Sequence, residues 1–289
     1  MERYTQGSIL YGLRSQYYEG IKCYGVIITA RCEIAQNKAK IIHLLSAVSL
    51  HDWVCTELFS RAFSDYLHND ILGPIQQWAK ESGLDFGTLI EFGPEKVRVN
   101  INADANLKEK TRKKIDESIE KWIEWNKLSA HCPMHEKVRL LDDVLSKKKS
   151  IILKELLSER FPNEFCFLPH KARLGKNEIM TDGIVVNLKD IISIPPKEID
   201  EIEKYGFEYS EIIKLENGNM ELEKLNSRYF LESDDDFVIF DGQIDSPWIE
   251  HLLQNFSSAF ARIGVETLSN KDLSTFCDTY CVSKQGDMK

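Results

Sequence analysis

The sequence predicts an α+β fold in which strands from both ends of the chain form one small β-barrel or sheet around a long helical insertion. Short apolar runs bounded by polar residues open and close the chain, whereas the middle repeats its apolar residues with a helical period. Because a sheet of two or three strands is marginal alone, we expect both ends to share one sheet. The predicted units are a split β-rich domain, a helical insertion and a tail, which cover residues 1–48 with 163–265, 49–162 and 266–289, respectively.

Three strands are predicted before the insertion, because residues 8–13, 21–30 and 40–48 are short apolar runs separated by polar residues. The period then changes to that of a helix. Trp53 and Leu58 fall on one face of this helix, and Ser49 or Asp52 is placed to cap its start.

The insertion is predicted to be helical because its apolar residues form narrow stripes. The predicted helices cover residues 69–82, 85–92, 107–128 and 136–159, with an irregularity at Gly73-Pro74 and an end before Pro162. In the charged helix 107–128, Ile115, Ile119 and Trp122 form the buried stripe.

The strand pattern returns after the insertion. The segments "EFCFLP", "GIVVNLKDIISIP" and "DDDFVIFDGQID" are predicted strands, and "PPKEIDEIEKYG" is a predicted helix with Pro at its start and Gly at its end. The last helix begins near Ser246 as a cap, with Pro247 in its first turn and Gly264 as its stop. Its apolar face is made by Ile249, Leu252, Leu253, Phe256, Phe260 and Ile263.

Charge and cysteine usage limit the function classes. The 46 acidic residues outnumber the 37 basic ones, and the net charge of −9 disfavours non-specific binding of nucleic acid. No apolar run reaches the ~18 residues that a membrane helix needs, and the N-terminus does not have the pattern of a secretory signal. The seven cysteines are an odd number in a chain that is long enough to bury a core, which favours reduced thiols in the cytoplasm.

Cys32 and Glu33 are the first candidate site, because they follow a predicted strand directly. A cysteine nucleophile needs a base and an orienting group, and a hairpin of residues 26–30 with 40–44 would bring His43 near Cys32. The leading interpretation is nevertheless a buried thiol with Glu33 at a turn. The alternatives are a nucleophile, with His43 as base and Glu33 as orienter, and metal ligation by Cys32.

Two cysteine-histidine pairs have spacings that occur in zinc sites, namely Cys132 with His135 and Cys166 with His170. One straight helix between them would span about 36 Å at 1.5 Å per residue, which keeps the pairs apart. The alternative is a polar loop and a strand residue. Near the end of the chain, Cys277 and Cys281 offer a third pair, against ordinary packing of the tail. No metal or other cofactor is predicted.

Two charged segments are interpreted as solvated, the acidic one as a turn before a strand and the basic one as a helix face. The acidic segment "ESDDDFVIFDGQID" does not have the spacing of a calcium loop, and the basic "KEKTRKK" precedes acidic residues on the same helix that offer it ion-pair partners. The sequence contains no P-loop, no G-x-G-x-x-G, no H-E-x-x-H and no G-x-S-x-G. It therefore does not contain the usual signatures of nucleotide hydrolysis, dinucleotide binding or serine hydrolysis.

The segments "GVIITARCEIAQNKAKIIHLLSAVSLHDWV" and "SPWIEHLLQNFSSAFARIG" together resemble a set of uncharacterised bacterial proteins. Those proteins carry a strand that ends in Cys-Asp or Cys-Glu, and a closing helix that runs from Ser-Pro to Arg-Ile/Val-Gly. The marked positions here are Cys32, Glu33, Ser246, Pro247, Arg262 and Gly264, with Glu33 where Asp is more usual. The resemblance implies a companion protein encoded beside other genes, including those of anti-phage systems.

Together these observations predict a non-catalytic interaction or sensing subunit of a bacterial, anti-phage or regulatory, multi-protein module. Its expected partner is a protein encoded nearby, with which it forms a hetero-complex. Arg262 is the candidate binding residue, through a pair with Glu33. The alternative is a cysteine-dependent hydrolase or transferase that uses Cys32.

Overall fold

The computed structural model describes residues 4–105, 107–129, 132–158, 164–169, 183–208, 227–233 and 235–261. Within them the fold is α+β, as predicted, and the strands come from both sides of the helical segment in the chain. The strands are β1 (Ser8–Arg14), β2 (Lys22–Ile27), β3 (Ile42–Ser49), β4 (Phe165–Pro169), β5 (Gly183–Ile194), β6 (Phe207–Glu208) and β7 (Phe237–Gln243).

Most helices lie between β3 and β4 in the chain, and the Ser49 side chain caps the first of them by accepting a hydrogen bond of 3.0 Å from the Asp52 N–H. Two π-helical turns, Val54–Leu58 and Tyr66–Ile71, interrupt this series. None of the described helices combines the length and apolar composition of a bilayer span. The helices are α1 (Arg31–Ala35), α2 (Leu50–Trp53), α3 (Phe59–Asp65), α4 (Gly73–Glu81), α5 (Phe86–Glu91), α6 (Pro94–Ala103), α7 (Glu109–Ser129), α8 (Met134–Asp142), α9 (Ser146–Leu157), α10 (Pro196–Tyr205) and α11 (Trp248–Ala261).

The strands form one antiparallel sheet in the order β4-β5-β3-β2-β1-β7-β6. The N-terminal strands β1, β2 and β3 are therefore central, and C-terminal strands flank them on both sides. Among the described strands the sheet stays open, with β4 at one edge and the two-residue β6 at the other. The predicted shared sheet is confirmed, whereas the barrel form of that prediction is not supported.

The two faces of the sheet pack into separate cores. Leu10, Ile27 and Leu44 face the helical segment and belong to a large core that also contains Ile119 and Trp122 of α7. The buried stripe predicted for α7 is therefore confirmed. Because side chains alternate between faces along a strand, the neighbouring residues point to the opposite side of the sheet.

On that opposite side, α11 packs mainly over β4 and β5. Ile249 and Leu252 are buried there against Val186 and Leu188, so the predicted apolar face of the last helix is confirmed at these positions. The helix begins at Trp248, so Ser246 and Pro247 lie in the turn before it rather than in the helix. Gly264, the predicted stop, lies outside the described residues.

The predicted single helix 136–159 is wrong, because the chain forms α8 and α9 with a break between Asp142 and Ser146. Leu145 in the break is fully buried, and its N–H donates to the Leu140 carbonyl oxygen at 2.9 Å. The chain therefore turns between α8 and α9, and the Leu145 side chain stays in the core together with the other apolar residues of the predicted buried face.

Gly12 allows β1 and β7 to approach closely. Its φ is +101°, which favours glycine, and a Cβ at this position would lie 2.2 Å from the carbonyl oxygen of Phe237. Any larger residue at position 12 would therefore push the two strands apart.

Candidate functional site

Cys32 and Glu33 lie on α1, a helix of five residues that follows β2, and both are exposed. The buried residue of α1 is Ile34, so this helix packs through one side chain and turns the thiol to its outer surface. The interpretation of Cys32 as a buried thiol is therefore wrong. Arg262, the predicted partner of Glu33, lies outside the described residues.

The β2–β3 hairpin predicted from the sequence forms, and it sets His43 opposite Ile28, whose N–H donates to the His43 carbonyl oxygen at 2.9 Å. The His43 imidazole is exposed, and its Nδ1 lies 3.1 Å from the Ser193 hydroxyl of the neighbouring strand β5. Within the described part of the chain, the structure records no hydrogen bond between this imidazole and Cys32. A role for Cys32, Glu33 and His43 in catalysis stays a prediction.

The proposed zinc pairs are divided between the two faces of the sheet. Cys132 packs beside the large core on the helical side, whereas Cys166 is buried in the smaller core beneath α11. His135 is exposed, and His170, Cys277 and Cys281 lie outside the described residues. Among the residues that the structure describes, no three His, Cys, Asp or Glu side chains come together as a metal site.

Cys166 is instead part of a contact that fastens α11 to the sheet. The Asn255 side-chain amide lies 3.7 Å from the Cys166 sulfur and 3.1 Å from Nε2 of His251, one turn earlier on α11. The buried position of its thiol gives Cys166 a structural role.

The acidic segment before β7 forms the turn that we predicted, but Asp236 within it is buried rather than solvated. Asp236 is buried, and its Oδ2 accepts hydrogen bonds from the N–H groups of Glu232 at 2.7 Å and Ser233 at 2.8 Å. Its Oδ1 pairs with the Lys22 ammonium, which also lies within 6 Å of the ring centres of Tyr11, Phe230 and Phe237. Burial opposes ionisation of Asp236, but Lys22 and the two N–H groups outweigh it and lower its pKa to about 2.

One residue of the basic segment 108–114 also has a structural role. Arg112 donates to the carbonyl oxygens of Ile101 and Asp104, both at 2.8 Å. It thereby provides hydrogen-bond donors to carbonyl groups at the C-terminal end of α6. The interpretation of this segment as a purely solvated face is wrong for Arg112.

A charged network lies at the end of the sheet where β4 begins. The Arg61 guanidinium donates to Glu164 at 2.7 Å and lies over the ring of Phe165. Hydrogen bonds from Lys189 and Arg61 lower the pKa of the Glu164 carboxyl. Since these contacts join α3, β4 and β5, the network fixes the helical segment to the sheet.

A groove of about 940 Å³ lies beside β7, near the opposite edge of the sheet from that network. One wall, the strand wall, is residues 239–246. The other, the helix wall, is residues 202–206 at the end of α10, together with Arg31 at the start of α1. Tyr4 reaches the groove and also a smaller cavity of about 350 Å³ next to it.

The groove exists because the chain leaves the sheet at Gly206. The recorded pairing between β6 and β7 covers only Phe237 and Val238, and residues before Phe207 turn away into α10. Gly206 has a φ of +67°, which a glycine adopts without strain. Among the described residues, the pairing of β6 with β7 stops at Val238, and the part of β7 that follows lines the groove.

Hydrogen bonds from the N-terminal segment hold the floor of the groove. The Ser8 hydroxyl donates to Gln243 Oε1 at 2.7 Å, and the Gln243 amide donates to the Gln6 carbonyl oxygen at 2.9 Å. On the helix wall, the Tyr4 N–H donates to Glu203 at 2.6 Å, and the Tyr4 ring stacks on Phe240. The groove is thus shaped by side chains that are already bonded to one another.

The lining combines charged side chains with apolar ones such as Ile239 and Phe240. Asp241, Asp245 and Ser246 lie on the strand wall, and Arg31 and Lys204 lie on the helix wall. Tyr205 is 81% exposed at the rim. An open strand edge between charged walls suits recognition of an extended peptide, whose backbone would hydrogen-bond to the edge.

Of the residues singled out in the sequence, Ser246 and the later part of the acidic segment, residues 239–245, line this groove. Cys32, Glu33 and His43 line neither of the two cavities. The groove escapes a sequence-based search because it is a backbone edge bordered by three distant segments. Gly242 inside a strand pattern is the one local signal, since such a glycine marks a bulge or a close approach.

Comparison of the chain with protein-family models, curated proteins and solved structures finds no match in any of the three.

Proposed function

We propose that this protein is a non-catalytic interaction subunit that holds an extended segment of a partner protein along the outer edge of β7. The observation that carries the proposal is the groove of about 940 Å³ lined by that edge. An edge strand presents backbone N–H and C=O groups to any added strand, and strand addition is a common way of binding a peptide.

The dimensions support a short added strand. Ile239–Gln243 spans five positions of β7, and five residues at about 3.4 Å each give an edge of roughly 17 Å. Short edges limit uncontrolled sheet-to-sheet aggregation, and α10 flanks this one. A site of this kind favours one inserted segment over stacking of many chains.

The chemistry of the lining also disfavours catalysis in the groove by a cysteine nucleophile or a histidine base. Cysteine and histidine are missing from the described residues that line the groove. The resemblance of the two chain ends to companion proteins of anti-phage systems suggests the context, a bacterial defence or regulatory complex with a protein encoded nearby. On this proposal the partner supplies the activity, and the present chain recruits or senses.

The test is site-specific photo-cross-linking in cells that naturally produce the protein. A photoreactive phenylalanine analogue replaces Tyr205 at the groove rim, and in a control variant it replaces Val99 of α6, which is 67% exposed on the helical segment. We expect one defined protein adduct from position 205 that is missing from position 99. Equal adducts at both positions, or a protein that purifies alone without an adduct, would contradict the proposal.

The exposed thiol of Cys32 keeps a second candidate function, a cysteine-dependent hydrolase or transferase with His43 as base and Glu33 as orienter. A nucleophilic thiol reacts well below the pH at which an ordinary cysteine does. The measurement is the rate of Cys32 alkylation by iodoacetamide against pH, with and without His43→Ala. A rate that follows an ordinary thiol and ignores the His43 substitution would remove this candidate.

A further inference from the structure

The groove contains two basic side chains, Arg31 and Lys204, and both are exposed on the helix wall. Within the described part of the chain, neither forms a recorded ion pair or side-chain hydrogen bond. Glu203 also lines this wall, and its carboxylate, which accepts the Tyr4 N–H at 2.6 Å, carries a negative charge. Arg31, Lys204 and Glu203 together leave the helix wall with one net positive charge.

The geometry of the sheet determines the direction in which each side chain of an added strand would point. Successive residues of a strand point to opposite faces, so one row of the bound peptide would face the helical side of the sheet. Ile199 and Ile202 of α10 and Ile34 of α1 all pack into the core on that side. The same row would therefore meet the helix wall, which carries Arg31 and Lys204.

We infer that the bound segment carries carboxylate side chains in the row that faces Arg31 and Lys204; this inference rests on the proposed strand addition at β7. Opposite charges on neighbouring strands stabilise pairing, and like charges oppose it. Asp241 and Asp245 lie on the strand wall, so an acidic residue is expected only in the row directed at the helices. The recognition signal is thus an alternating acidic strand.

Three synthetic peptides of equal length probe this inference with the full chain. They share the sequence Thr-X-Val-X-Ile-X-Thr with blocked ends, where X is Glu, Gln or Lys, so only one row changes. The readout is the dissociation constant together with the backbone amide NMR shifts of Ile239–Gln243 on β7. We expect the Glu peptide to bind at least tenfold more tightly than the Gln peptide, and the Lys peptide to bind most weakly.

Charge reversal on the protein provides the matched control. Lys204→Glu should weaken binding of the Glu peptide at least tenfold and strengthen binding of the Lys peptide. Lys197→Glu makes the same charge change at an exposed position of the same helix, outside the groove, and should leave both affinities within twofold. Unchanged thermal unfolding of both variants shows that folding is not the cause.

The outcomes separate the inference from the function on which it rests. Equal affinity for the three peptides, with shifts on Ile239–Gln243, overturns the acidic row but leaves strand addition standing. Shifts confined to other residues for every peptide overturn both. Equal losses from Lys204→Glu and Lys197→Glu would show a general field effect and would also overturn the assigned row.

Discussion

Replacing Asp236 by Asn should destabilise the protein substantially, because this carboxylate joins the turn before β7 to β2. Asn keeps an acceptor for the N–H groups of Glu232 and Ser233 but cannot pair with the Lys22 ammonium. Lys22 would then be left between aromatic rings with its side chain only 21% exposed and without its carboxylate. Leaving one charge of a buried pair alone is more costly than removing the pair.

The shift in the pKa of Asp236 gives the size of its contribution to the free energy of unfolding. The Asp236 carboxyl ionises at about 2 in the folded protein, against an ordinary value of 3.8. At 1.36 kcal/mol per unit, ionised Asp236 contributes roughly 2 kcal/mol at pH 7. Because the folded pKa is the lower one, this contribution is fully present above about pH 4 and is lost as pH falls through 2. About half of it should remain at pH 3.

The assay is urea denaturation of the wild type and of Asp236→Asn at pH 7 and pH 3, followed by tryptophan fluorescence. The matched control is Asp235→Asn, an exposed carboxylate in the same turn, which should change the unfolding free energy by less than about 0.5 kcal/mol. If Asp236→Asn costs no more than this control at pH 7, the reasoning about the Lys22 pair is wrong. If Asp236→Asn lowers the free energy of unfolding equally at pH 7 and pH 3, the proposed link between the ionisation of Asp236 and stability is wrong.

Three further predictions follow from packing and burial. Gly12→Ala should lower the free energy of unfolding by more than about 2 kcal/mol, because a Cβ there meets the Phe237 carbonyl oxygen. Gly20→Ala should lower it by only about 1 kcal/mol, because Gly20 has a φ of +73° but open space around it. Urea denaturation measures both losses. Leu252→Ala should cost about 2–5 kcal/mol by the same method, because this side chain of α11 is fully buried against the sheet. In the native protein iodoacetamide should label Cys32 and spare Cys23, because burial raises the pKa of the Cys23 thiol to about 12; peptide mass spectrometry measures the labelling.

Each of these predictions has a clear contrary result. Equal costs at Gly12 and Gly20 would mean that φ alone matters and that β1 and β7 are not in close approach. A change below 1 kcal/mol at Leu252 would mean that α11 does not cover the sheet. Equal labelling of Cys23 and Cys32 would mean that β2 opens readily.

The sequence predicts most of the fold because its signals are local. Alternating apolar residues locate the strands, the Ser49 cap locates the start of the helical segment, and the apolar stripe of α7 identifies its buried face. The shared sheet follows from one further physical argument, that three strands alone are marginal. None of these steps depends on contacts between distant side chains.

The break between α8 and α9 could not be found in this way. The apolar stripe continues through Leu141, Leu145 and Ile152 without a change of period, and all three side chains are buried. The intervening residues include neither proline nor glycine, so the usual stop signals are missing. A backbone turn that preserves the stripe leaves no trace in the pattern.

The candidate site shows the same limit more strongly. Cysteine and histidine draw attention in a sequence because their side chains carry chemistry, yet the described lining of the groove consists of ordinary apolar, polar and charged residues. Which strand edge stays open depends on where Gly206 turns the chain, and that becomes visible only in the assembled sheet.

The strand order has a consequence for synthesis on the ribosome. β1, β2 and β3 emerge first, but β5, the neighbour of β3, begins only at Gly183, and β7, the neighbour of β1, comes later still. At 5–20 residues per second the three-stranded intermediate waits roughly 7 to 27 seconds for its first C-terminal neighbour. During that interval the nascent chain exposes two unpaired strand edges. The yield of folded protein in a cell should therefore depend on chaperones that cover these edges.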